Sequence, residues 1–367
     1  MKRVVLVGAG HAHLGVLRGA SALVDRGAEV VVVAPEDFWY SGLATGVLAG
    51  QYPPSLDVIA LAPLAARAGA HLVREAVVAV EPRNRRVVLA SGRALDWDSL
   101  SLDVGSEVPI DTLPGAAAHA VPVKPVANLA RLRADLETRW RRGERPRLVV
   151  VGGGNSGCEV AAVAASLATR SGGGLDVTLL AASSRLVPAL PARAARRLVR
   201  GLEGRGVRCR TGTPVTAIEA GRVRTATGDP VPFDVAVLAT GLVPPRLLRQ
   251  AGLPTDDSGA LLVDATLHAV GDPRVFGGGD CIAFAPRPLP RIGVHAVRQA
   301  PVLLHNLAAS LDGRPLRAYR PQRRALLVLN LGDATALATW GPFVWYGRAA
   351  FRLKDRIDRR WLAASRA

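Results

Sequence analysis

Cysteine is scarce in this chain: three residues in 367, Cys158, Cys209 and Cys281. The number is odd and no C-x-x-C pair exists, which argues against a disulfide framework and against a zinc site. The same scarcity suits a reducing compartment, so a cytoplasmic location is expected. Aromatic residues make up only 4% of the chain. The formal charge is +17, with Arg far outnumbering Lys, yet no run of five basic residues and no basic patch interleaved with aromatics occurs. Scattered arginine reads as a solvated surface, and no nucleic-acid partner is expected. Long apolar runs are missing too. The nearest, residues 148–168, is broken by glycines, Asn155 and Glu159 and reads as strand, loop and helix rather than a membrane span. Only four apolar residues separate Met-Lys-Arg from the first glycine turn, too few for a signal peptide.

One further absence concerns a motif. A dinucleotide-binding turn reads G-x-G-x-x-G. In GAGHAHLG, Gly8 and Gly10 fit, but the third position is His13. A metal site from His11 and His13 is not expected: the i, i+2 spacing points the rings apart, and no acidic or cysteine ligand joins them. No metal is assigned. The first glycine makes the tight turn, the second lets a pyrophosphate approach the backbone, and the third lets helix and strand pack closely. His13 therefore implies a looser helix–strand contact, or an imidazole filling space beside the nucleotide.

What is present repeats. Residues 4–7 read as a strand, 12–25 as a helix and 29–34 as a second strand. The pattern recurs in RLVVVGGGNSGCEVAAVAASLA, where Gly152, Gly154 and Gly157 fill all three positions, followed by a strand at 176–181. Apolar strands alternating with helices imply parallel sheets covered on both faces. Two such loops suggest two nucleotides, each with its phosphates at a helix N-terminus. Strands ending in Asp-Val-Gly-Ser (100–109) and Ala-Thr-Gly (233–241), and the late segment PRVFGGGDCIAF (273–284), complete the set.

These elements, in this order, resemble the pyridine-nucleotide-dependent flavin oxidoreductases. GAGHAHLGVL, YSGLATGVLAGQY, VPVKP and GVHAVRQAPVLLHNL narrow the resemblance to flavin domains akin to type II NADH dehydrogenases, a branch sometimes fused to selenide, water dikinase. The resemblance implies an α/β fold with two Rossmann-like three-layer domains and a small C-terminal hairpin and helix region. The FAD domain would span 1–115 and 244–310, an inserted NAD(P)-binding domain 116–243, and the C-terminal region 311–367. FAD would be held by Gly8, Gly10, His11, Gly42, Gly105, Gly279, Asp280 and Val294. NAD(P)H would be held by Gly152, Gly154, Asn155, Ser156, Gly157 and Gly241. Lys124, Ser41 and His295 would lie near the reacting ring.

Two residues come from strand ends, where a ribose-binding acid belongs. Glu36 follows the first unit's second strand. The second unit has Ala181-Ala182-Ser183-Ser184-Arg185 instead; the acid is missing and Arg185 suits a 2′-phosphate, which points to NADPH. The C-x4-C pair of the disulfide reductases has no counterpart in YSGLATGVLAG. The expected activity is hydride transfer from NAD(P)H to FAD and on to a quinone-like or other small acceptor, without a redox disulfide. A sulfide- or selenium-linked flavoprotein, or a flavin-binding redox module without turnover, are the alternatives.

The C-terminal stretch 324–341 reads as a hairpin turning at Gly332-Asp333. Beyond it Tyr346, Ala350, Leu353, Ile357 and Trp361 recur at helical spacing among Arg348, Arg352, Lys354, Arg356, Arg359 and Arg360. A basic amphipathic helix with aromatics suits a membrane interface, which makes residues 343–367 a candidate peripheral contact on the cytoplasmic face. Packing on its own domain, or on a partner subunit in a homodimer, fits the pattern equally.

Overall fold

The computed structural model describes residues 1–366. Two five-stranded parallel sheets form the frame. The first runs Val275–Gly277, Ser99–Leu102, Lys2–Val7, Ala28–Val33, His71–Val73. The second runs Val121–Pro122, Val235–Leu238, Arg147–Val151, Asp176–Leu180, Arg208–Arg210. The two orders are equivalent position by position: each glycine-loop strand is central, flanked by its unit's second strand and by the strand ending in Asp-Val-Gly or Ala-Thr-Gly. Central strands buried on both faces explain the unbroken valine and leucine runs. Val4, Val5, Leu6, Leu148 and Val150 are fully buried.

Each unit also carries a three-stranded antiparallel sheet, Val77–Glu81 with Arg86–Leu89 and Ala94–Asp96, and Val215–Glu219 with Arg222–Thr225 and Val231–Pro232. The register of the first strand shifts at the matching place in both, between Val77 and Ala79 and between Val215 and Ala217. The duplication read from the glycine loops thus extends through the whole unit.

The first-loop helix, His11–Arg18, is shorter than its apolar pattern suggests; Gly19 ends it and a single turn, Ser21–Val24, follows. Its outer face lies against the long helix Gly293–Asp312. The approach is so close that a Cβ on Gly15 would sit 2.4 Å from the Ala300 Cβ. This packing carries the start of the late helix to the glycine loop.

The C-terminal region departs from its sequence pattern. Leu327–Asn330 and Ala336–Trp340 form the expected hairpin, but Phe343–Gly347 adds a third antiparallel strand. Tyr346 is therefore in a strand, and the helix runs Arg348–Arg366. Aromatic and β-branched residues favour the strand, and Gly347, at φ +122°, ends it. The buried face of the helix is turned from the apolar one and shares only Ala350 and partly buried Trp361 with it. Ala350, Asp358, Leu362 and Ser365 are buried, whereas Leu353 and Ile357 are 41% and 45% exposed. No helix among the described residues is long and apolar enough to cross a membrane.

Candidate active site

The first glycine loop is shaped around Asp103. Gly8 adopts φ +83°, and a Cβ there would lie 2.4 Å from the Asp103 carbonyl oxygen. A Cβ on Gly10 would lie 2.3 Å from the Asp103 carboxylate. That carboxylate accepts hydrogen bonds from the backbone N–H groups of Ala12 and His13, at 2.8 and 2.9 Å. Burial nonetheless pushes Asp103 up to about 7, against the pull of those two donors. The N–H groups of Ala9 and His11 have no protein partner among the described residues. With the helix dipole behind them, they suit an anion. A cleft of about 450 Å³ opens here, lined in part by Gly8, Gly10, Glu36, Asp103 and Gly105. The glycine cradle, the free donors and exposed Glu36 at the mouth fit the pyrophosphate and ribose of a dinucleotide.

His13 stands where the third glycine belongs. In the second loop a Cβ on Gly157 would fall 1.8 Å from the Gly152 carbonyl oxygen, so helix and turn touch. In the first loop the His13 Nδ1 donates to the matching carbonyl, Gly8 O, at 2.6 Å, and Nε2 accepts from Ser101 Oγ at 2.8 Å. The imidazole bridges the wider gap between helix and sheet and is 1% exposed. Burial lowers its pKa to about 4, which keeps the ring neutral in that bridge.

The second loop presents Gly154 to open space, with Gly152 at φ +127° against Ala239 O. Asn155 opens the following helix, Asn155–Ser171, and its Oδ1 is buried with no partner. Ser156 and Gly241 are exposed beside it. A second cleft, about 310 Å³, is lined by Gly152, Ala182, Thr213 and Thr240, without a carboxylate. Arg185 is exposed on the adjoining loop, its guanidinium donating to Pro188 O.

The two units meet at Asp280. Lys124, which follows the edge strand of the second sheet, forms an ion pair with it, Nζ to Oδ2 3.0 Å. Ser106 Oγ donates to the same oxygen at 2.8 Å, and Lys124 Nζ donates to Ser106 Oγ at 2.7 Å. The Lys124 charge is the main influence holding the Asp280 carboxyl below its usual range against burial. Gly279, at φ +76°, packs a would-be Cβ 2.3 Å from Asp103 Oδ1. Asp103, Gly279, Asp280, Ser106 and Lys124 are thus one contiguous cluster.

Other candidates sit around it. The His11 ring lies edge-on to Phe38, with centroids 4.9 Å apart, and 5.3 Å from Trp361. A Cβ on Gly293 would come within 3.4 Å of it, which brings half-buried Val294 alongside. His295 is buried, with Nδ1 3.0 Å from the Tyr319 hydroxyl, and burial lowers its pKa. Ser41 is exposed at the start of the helix Ser41–Leu48. Gly42 is held under the Tyr40 ring, and its carbonyl accepts from Lys354 of the C-terminal helix.

The thiols stand apart. All three are free. Cys158 and Cys281 are buried in the cores of different units, and burial pushes both thiols up, out of the nucleophilic range. Cys209 is pushed up to about 11. No group of three or more His, Cys, Asp or Glu suited to a metal occurs among the described residues.

A family model described as pyridine nucleotide-disulphide oxidoreductase matches residues 2–300. The chain belongs to the pyridine nucleotide-disulphide oxidoreductase family. Among its relatives, an NADH dehydrogenase-like protein of Mycobacterium tuberculosis is 28% identical over 98% of this chain and 94% of its own. A demethylphylloquinone reductase of Synechocystis is 27% identical over 79% of this chain and 70% of its own. The fold is shared with NDH2 of Plasmodium falciparum in complex with NADH, at TM-score 0.85 and 12% identity over 100% of this chain and 96% of that one. The sulfide:quinone oxidoreductase of Aquifex aeolicus gives 0.84 at 17% identity, over 100% and 92%. This member of the family is an NAD(P)H-dependent flavin oxidoreductase, with FAD and NAD(P)H as its nucleotides.

Sequence reasoning missed Asp103 and Ser106 as site residues, although both lie in the Asp-Val-Gly-Ser strand end it singled out. An aspartate where the second unit has Ala239 is the signal that marks Asp103.

The His13 bridge generates a test. A histidine near 6.5 unfolded and about 4 folded contributes stability present above pH 6.5 and lost as pH falls toward 4. That loss is on the order of 3 kcal/mol when complete. Buried Asp103, raised to about 7, changes stability in the opposite sense over the same range, so the test is a difference. Between pH 7 and pH 4.5 the urea-unfolding free energy of the native protein should shift toward lower stability relative to H13Q, and equal pH dependence of the two would contradict the bridge.

Proposed function

We propose that the enzyme oxidises NADPH in preference to NADH and reduces a quinone-like acceptor, with no thiol in the electron path. The observation that carries this reading is the Lys124–Asp280 ion pair, which joins the two glycine-loop units with no paired cysteine beside it. In the overall reaction, NAD(P)H, a proton and a quinone give NAD(P)⁺ and a quinol. FAD, when bound, supplies a two-electron carrier between the two substrates. Gly8, Gly10 and the N–H groups of Ala9 and His11 hold its pyrophosphate, and Glu36 its ribose. Asp280, oriented by Ser106 and Lys124, would anchor its central portion, and the Lys124 ammonium would supply positive charge on that side of the site. Gly152, Gly154, Asn155 and Gly157 would seat NAD(P)H, and Ser41 and His295 are assigned to the side of the reacting ring.

NADPH is favoured because no carboxylate lines the second cleft. A ribose diol normally meets one at this strand end, whereas Ala181 and Ala182 stand there with Arg185 beyond. In an anaerobic titration the yellow protein should bleach faster with NADPH than with equal NADH, then recover colour on adding a benzoquinone. Faster bleaching by NADH overturns the nucleotide assignment; bleaching without recovery overturns the acceptor class.

The chain's outer aromatic surface supports a membrane-resident acceptor. Trp340, Phe343, Trp345, Leu353 and Ile357 are all exposed, with Arg348, Arg352 and Arg356 interspersed. The adjoining face of the C-terminal helix is tied down: Trp361 stacks on Tyr40 at 4.4 Å, and Asp358 accepts from the Tyr40 hydroxyl at 2.7 Å. One face packs on its own unit while the other is free for an interface. Co-sedimentation with anionic vesicles should fall several-fold in the L353E/I357E variant; equal binding by both proteins counts against the contact. Both side chains are exposed, so this variant should keep its thermal stability.

A further inference from the structure

We infer that Arg291 is a positioning residue for hydride transfer, setting the angle at which the two nucleotide-binding units present their ligands to each other. The chain passes between the units through two strand ends, Asp103–Glu107 and Ala239–Val243. These ends pair in a short antiparallel bridge, in which Glu107 N donates to Val243 O at 2.8 Å and Val243 N to Glu107 O at 2.9 Å. Helix Ser41–Leu48 of the first unit packs against helices Ala127–Arg141 and Asn155–Ser171 of the second, so the units are held together elsewhere. What the two backbone bonds leave unset is the local tilt of the crossing strands against the Asp280 segment.

Arg291 sets that tilt. Its Nε donates to Asp280 O at 3.1 Å and its Nη1 to Leu242 O at 3.3 Å. Its Nη2 donates to Ser258 Oγ at 2.7 Å, and Ser258 Oγ donates on to Asp256 Oδ1 at 2.7 Å. One planar guanidinium therefore joins the FAD-side aspartate, the residue after the Ala-Thr-Gly crossing and a third loop. A rigid fork of donors fixes direction as well as distance. Arg291 lies only two residues before Gly293, the start of the helix that runs beside the first glycine loop. The same side chain thus ties Asp280, the crossing strand and that helix start together. It meets Asp280 through the main-chain carbonyl, while Lys124 and Ser106 hold the carboxylate, so its effect is separable from theirs.

Hydride transfer demands sub-ångström placement, and a displacement of about 1 Å from a remote change can cost on the order of a hundredfold in rate. Binding of either nucleotide alone makes no such demand. The inference rests on hydride transfer between NAD(P)H and FAD, not on the identity of the acceptor.

The test uses the full-length holoenzyme in R291M, R291K and S258A forms. In R291M the limiting rate of flavin reduction by NADPH should fall at least about tenfold. FAD content should stay unchanged, and the NADP⁺ dissociation constant should stay within about threefold. Reoxidation of dithionite-reduced enzyme by benzoquinone should be unaffected. R291K should recover part of the rate, and S258A should show a smaller loss of the same kind. A second readout needs no turnover. Spin labels on R83C and D229C, at exposed tips of the two units in a C209A background, should give a broader distance distribution in R291M. An unchanged reduction rate, a parallel loss in both half-reactions, or an unchanged distance distribution each overturns the inference. Should R291M fail to fold, R291K and S258A carry the same comparison.

Discussion

The carboxylate of Asp103 is the point on which the rest of the site depends. It receives the N-terminal N–H groups of the first-loop helix, fills the space that glycine leaves at position 10, and abuts Gly279. Three segments far apart in the chain, residues 8–13, 103 and 279, are brought to one spot because a buried carboxylate must find donors and small neighbours. Asp280 then follows as the next residue, on the outer side of that knot, where Ser106 and Lys124 can reach it. The flavin-side site is a consequence of how one buried acid is satisfied.

The duplication of the two units makes their differences informative. The second unit keeps the spare version: Gly157 at the helix, Ala239 at the strand end, and the helix pressed onto the turn. The first unit replaces both with polar side chains, His13 and Asp103, that hydrogen-bond across the wider gap. A close backbone contact has been exchanged for a neutral imidazole bridge and a capping carboxylate. Two titratable groups now sit beneath one nucleotide and none at the equivalent positions beneath the other. Burial pushes Asp103 up to about 7 and His13 down to about 4, favouring the neutral form of both.

Much of this was legible in the sequence. Periodic valine runs and paired glycine loops are local signals, and they placed both sheets and both nucleotide turns. Lys124 and Asp280 were named separately from motifs, but their ion pair was not visible, because 156 residues separate them. Asp103 and Ser106 lay inside a recognised strand end, yet their roles depend on burial and on Gly10 and Gly279, which no local pattern reports. Arg291 was hidden among many surface-like arginines. At the C-terminus the apolar periodicity left open which face turns inward. Tyr40, Tyr52 and Gly42 O offer polar partners there, so Lys354, Asp355 and Asp358 turn inward and Leu353 and Ile357 turn out.

The central claim is that electrons cross this enzyme between its two nucleotides and its acceptor without passing through a thiol. The direct measurement is anaerobic reduction by NADPH, followed by reoxidation with benzoquinone, in a C158A/C209A/C281A variant with FAD bound. The account predicts that both half-reactions proceed within about threefold of the native rates. Flavin reduction that survives while quinone-dependent reoxidation is abolished would contradict it.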